Sequence, residues 1–77
     1  MDIGDKIKEL RKSRGLSQSA LAKEIGVSQQ VFVWWENGKH EPKASYIAEL
    51  ANFFDVTSDY LLGLENEDGT KNKKGGM

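Results

Sequence analysis

Three glutamines, Gln18, Gln29 and Gln30, are the residues of this sequence best suited to reading another polymer. A glutamine amide donates and accepts in one plane, matching the N6 donor and N7 acceptor on the major-groove edge of adenine. Gln29 and Gln30 open the segment QQVFVWWENG, in which Phe32 and Trp35 recur at helical spacing. At 100° per residue the two rings share one side, and Gln30 points almost directly away from them. Gln29, Val33 and Trp34 fall on the flanks of that outward face. Two glutamines at a helix start are also common on any solvated surface, so the pair needs a frame before it means anything. Gln18 opens the preceding amphipathic segment. There its amide, the free backbone N–H groups and the helix dipole suit a phosphate; the alternative is a merely solvated first-turn residue.

Other groups could serve the same polyanion. Ser28 and Asn37 flank the third segment, and Lys39, His40 and Lys43 lie in the loop behind it. All five are candidate phosphate contacts. Lys6, Lys8, Lys12 and Arg14 add long-range attraction or form only the wet side of the first segment. Glu36 stands about 70° from the inward face of its helix, placed to reach the first helix, where Arg11 is the best-placed partner. A structural ion pair between them is expected. His40 is a lone histidine without partner spacing, and the chain has no Cys. No nucleophile–base pair or phosphate loop is present, so neither an enzyme, a metal site nor a cofactor is expected.

These residues need a frame, and the punctuation supplies it. Ile3, Ile7 and Leu10 mark a first helix, roughly residues 3–14, with Gly15 just past its end. Ser17 caps a second, in which Leu21, Ala22 and Ile25 form one face and Gly26 stops it. Ser28 caps the third, which ends at Gly38. Between them Ala22 permits a close crossing, Gly26 a positive φ, and Val27 a plug beneath the turn. Glu41-Pro42 holds the chain extended before a fourth helix, roughly 44–54, with Ile47, Leu50, Ala51 and Phe54 inward. Ser58 caps a short fifth, carrying Leu61 and Leu62 and closed by Gly63. The expected class is all-α, a compact five-helix domain over residues 1–64. Residues 65–77 read as a disordered polar tail or linker.

Seventy-seven residues suit one small domain, with 38% hydrophobic and 30% charged residues. The net charge of −1 is unevenly spread. Residues 1–43 carry eight Lys or Arg against six acids; residues 44–68 carry six acids and no Lys or Arg; residues 69–77 add three Lys. Such asymmetry suits a chain with one face toward a polyanion, and equally an ordinary mixed surface. No apolar run reaches the ~18 residues of a membrane span. The amphipathic, mixed-charge start is no signal peptide, so a cytoplasmic location is expected.

The words IKELRKSRGLSQSALA, IGVSQQ, WENGKHEP and FDVTSDYLLG resemble the lambda-repressor-like, Cro/cI-type helix-turn-helix domains of phage and bacterial repressors. The resemblance runs from Ile3 to Gly63. It implies helices 2 and 3 as the helix-turn-helix and a sequence-specific transcriptional regulator. It further implies a homodimer on a palindromic double-stranded operator, with no cofactor or small-molecule ligand. It assigns phosphate contact to Gln18, base contact to Gln29 and Gln30, and an ion pair to Arg11 and Glu36. The QQ opening and the ENGK ending resemble some lambdoid phage repressors.

The sequence departs from that family where specificity is set. Small or polar residues are usual at the positions of Val31, Val33 and Trp34, and here VFVWW is almost wholly apolar. Val33 and Trp34 are not both expected to be buried. They could touch thymine methyl groups, anchor a protein partner, or belong to an altered recognition helix. The second account is the alternative function, a protein-interaction module on the same fold. Tyr46 and Phe53, with Tyr60 and Leu64, could line a dimer contact or pack against the tail.

Overall fold

The computed structural model describes residues 2–64, so the expectation for the tail at 65–77 lies outside the described residues. Among the described residues five helices follow one another: α1 Ile3–Ser13, α2 Gln18–Ile25, α3 Gln29–Glu36, α4 Ala44–Phe54 and α5 Ser58–Leu61. No strand occurs among the described residues. Each helix donates a large, wholly enclosed side chain to the centre: Ile7, Leu21, Phe32, Leu50 and Leu61. Ile3, Ala22, Ile25, Trp35, Ala51 and Phe54 complete the core. The core therefore depends on all five helices being in place together, because none can bury its apolar stripe alone.

Four helices begin at a side-chain cap. Asp2, Ser17 and Ser28 accept bonds from the backbone N–H of Asp5, Ala20 and Val31 at 3.0, 3.0 and 3.2 Å. The fourth cap corrects the sequence reading. Thr57, not Ser58, caps α5, accepting from the Tyr60 N–H at 3.0 Å, and Ser58 is the first helical residue. A hydroxyl at either position satisfies the same local rule, and only the backbone register distinguishes them. Leu61 is enclosed, whereas Leu62 is exposed.

A tight reversal at Gly26 and a close approach at Gly4 shape the helix junctions. Gly26, at φ 91°, ends α2 with its N–H on the Ala22 carbonyl at 2.8 Å, and Val27 bonds the same oxygen at 3.0 Å. The chain then reverses into Ser28 within three residues. Gly4 lies in the first turn of α1, where a β-carbon would overlap the Trp35 and Glu36 carbonyl oxygens. The end of α3 thus touches the start of α1, a contact that sequence reading did not anticipate. α4 closes on Asp55 in the left-handed region at φ 59°, with no glycine there. An aspartate tolerates this conformation better than most residues.

Lys6 is a further correction. Its sequence position suits long-range attraction or the wet side of α1, but it is buried, with its ammonium 4.3 Å from the centre of the Tyr60 ring. Its stem covers apolar surface while its charge sits over a π face. Arg14 donates to the Phe54 carbonyl at 3.0 Å and lies over the Phe54 ring. The aromatic residues considered for a dimer contact are also half-engaged. Tyr46 packs on Trp35, Phe53 on Phe54 and Tyr60 under Lys6, while Leu64 is exposed.

Candidate nucleic-acid interface

Glu36 organises the site from behind. Its Oε2 accepts from Arg11 Nε at 2.6 Å, and its Oε1 accepts from Arg11 Nη2 at 3.1 Å. The remaining guanidinium nitrogen, Nη1, donates to the Leu16 carbonyl at 2.8 Å. The pair is enclosed, with side-chain exposures of 10% for Arg11 and 3% for Glu36. Planar two-point pairing is what Arg offers a carboxylate. Oε1 has a further donor: Gln18 Nε2 lies 3.0 Å away. α1, α2 and α3 are therefore joined at one carboxylate. Among the described residues no buried side-chain nitrogen or oxygen lacks a partner.

That bond changes how Gln18 is placed. It is half-buried, and one amide N–H is already committed. Gln29 and Gln30 differ. Both are exposed in the first turn of α3, while Phe32 and Trp35 behind them are enclosed, with ring centroids 5.9 Å apart. The scaffold braces the inner face and leaves both amides in solvent.

Val33 and Trp34 meet the expectation that they cannot both be buried, since each is half-covered. His40 accounts for part of this, meeting the Trp34 indole edge-on with ring centres 5.0 Å apart. The loop folds back to allow it. Gly38 takes φ 82°, and the N–H groups of Lys39 and His40 donate to the Trp34 carbonyl at 2.9 and 3.3 Å. Asn37 Oδ1 accepts from the Lys39 N–H at 3.2 Å. Asn37, Lys39, His40 and Lys43 are all exposed, as is Ser28. The loop thus gathers Lys39 and His40 beside Trp34. The Trp34–His40 packing and the Gln18–Glu36 bond escaped sequence reading, because neither leaves a periodic signal.

Two capped helices crossing over a three-residue reversal, the second with an exposed polar start, form a recognisable geometry. A family model described as helix-turn-helix matches residues 7–61. The chain belongs to this helix-turn-helix family. It is 36% identical over 60 residues to YonR, an SPbeta prophage-derived HTH-type transcriptional regulator of Bacillus subtilis (strain 168). That match covers 78% of this helix-turn-helix chain and 56% of YonR, so the chain spans only about half of this relative's length. The fold is similar to that of the P22 c2 repressor, solved in complex with a synthetic operator: TM-score 0.76, 32% identity, 80% of this chain and 94% of that one. It is also similar to SinR, a master regulator for biofilm formation solved in complex with DNA: TM-score 0.70, 30% identity, covering 77% and 95%. The all-α five-helix architecture is that of repressor-type helix-turn-helix domains. No helix among the described residues is long and apolar enough to cross a membrane.

Proposed function

We propose that this chain is a sequence-specific DNA-binding transcriptional regulator, a repressor that places α3 in the major groove of double-stranded DNA. The observation that carries the reading is the exposure of Gln29 and Gln30 on a helix whose Phe32 and Trp35 are enclosed. A helix start presented this way brings amides to base edges while its core face stays packed. Gln29 and Gln30 read bases, and the outer parts of Val33 and Trp34 meet thymine methyl groups. Gln18, Ser28, Asn37, Lys39, His40 and Lys43 hold phosphates on either side. The Ser28 hydroxyl oxygen already accepts from the Val31 N–H, so its own proton is what it offers. The P22 c2 and SinR structures, both solved with DNA, support the reading.

Repression follows from occupying promoter DNA. The chain acts in the cytoplasm as a homodimer on a palindromic operator, without cofactor or small-molecule ligand. The protein-interaction alternative loses ground because its anchor, Val33 and Trp34, is half-covered rather than free. Selection of bound duplexes from a random DNA pool tests the proposal. It should converge on one sequence with two inverted half-sites. A pool that never enriches would reject specific binding, and a single unrepeated half-site would reject the dimer.

A further inference from the structure

Gln18 and Glu36 are 18 positions apart, on different helices, and share a hydrogen bond of 3.0 Å. A carboxylate can only accept, so the Gln18 atom beside it must be the amide nitrogen. That removes the usual ambiguity of a glutamine amide and sets its orientation. The carboxylate is held in turn by two bonds from Arg11 at 2.6 and 3.1 Å. With its side chain 3% exposed, Glu36 cannot itself meet a duplex. A bare carboxylate at this place would repel a phosphate; the guanidinium on both of its oxygens offsets that charge.

We propose that Glu36 is a positioning residue for DNA binding: by accepting one N–H of Gln18, it holds the amide so that the second N–H and the first-turn backbone N–H groups of α2 left open by the Ser17 cap converge on one phosphate. The proposal rests on the reading of Gln18 as a phosphate contact. A glutamine side chain has three freely turning bonds, and binding a phosphate from a loose ensemble costs ordering entropy. Glu36 removes that cost in the free protein. Arg11 sets Glu36, Glu36 sets Gln18, and the three helices that build the motif are thereby tied to its phosphate grip.

The test uses a duplex recovered from a random pool with this protein, carrying a single methylphosphonate moved along its backbone. Wild type should lose affinity at one phosphate beside α2, and Gln18→Ala should erase that penalty. Glu36→Leu, which leaves Gln18 no acceptor at this place, should, with fold verified by circular dichroism, shrink the same penalty and weaken binding about threefold to tenfold. Arg11→Met/Glu36→Met, which replaces the buried pair by apolar volume, should do likewise if Glu36→Leu does not fold. In unmodified wild type, the Gln18 side-chain amide protons should exchange with solvent more slowly than those of Gln29 and Gln30. An undiminished penalty in a folded Glu36 variant, or equal exchange at all three glutamines, would overturn the positioning role. If no phosphate depends on Gln18 while its amide remains protected, the phosphate reading itself fails and takes this proposal with it.

Discussion

The Gly4 backbone rests against the main-chain carbonyl of Trp35, closely enough that no β-carbon fits between α1 and the end of α3. Both partners in that contact are backbone, so neither can turn aside. Gly4→Ala should therefore force the helices apart and destabilise the domain by about 1–3 kcal/mol, despite alanine's better helix propensity. Gly26 makes a useful contrast. Its β-carbon would meet nothing within 4 Å, but its φ is 91°. Gly26→Ala should cost about 1–2 kcal/mol from backbone strain alone. Urea unfolding of both variants checks the pair, and a Gly4→Ala protein as stable as wild type would contradict the close approach.

The Arg11–Glu36 pair should be costly to break and cheap to replace. Arg11→Met leaves a carboxylate buried with only Gln18 as a side-chain donor, and should destabilise by about 3–5 kcal/mol. Arg11→Met/Glu36→Met removes both charges and should recover most of that loss. A thermodynamic cycle in denaturant measures the difference. Additive losses would show that the two side chains are not coupled.

Base reading should be local. Gln30→Ala should reduce discrimination at defined base pairs by about 1–3 kcal/mol and leave affinity for unrelated DNA nearly unchanged. Competition binding against single-base variants of the selected duplex makes the comparison. Equal loss on every sequence would remove Gln30 from the reading surface.

Two lysines should behave oppositely. Lys39 is exposed beside Trp34, and Lys39→Ala should lower the steepness of the salt dependence of DNA binding by about one per protomer. Lys6 is buried over Tyr60, and Lys6→Ala should leave the salt dependence intact while destabilising the fold by about 1 kcal/mol. Titrations at several salt concentrations, paired with thermal melts, separate the two. A flattened salt dependence in Lys6→Ala would place its charge at the DNA.

Much of this domain is written locally. Helix number, the caps at Ser17 and Ser28, the stop at Gly26 and the inward side of α3 all follow from residues within one or two turns of each other, where backbone sterics and period 3.6 act directly. The outward placement of Gln29 and Gln30 belongs to the same class, because it is the complement of the Phe32 and Trp35 face. Pairing Arg11 with Glu36 needed only helix phase and opposite charge.

Packing between helices decided the rest. Lys6 has an aromatic neighbour 54 positions away in the chain, so no local window reveals whether its stem is wet or covered. The covering of Trp34 depends on a loop that turns back, and the orientation of Gln18 on a carboxylate brought in by another helix. Local sequence determined which side chains face in and which face out. Only the crossing of the helices decided which polar groups are engaged within the fold and which stay open, since that depends on distances between segments the chain brings together only when it closes on its core.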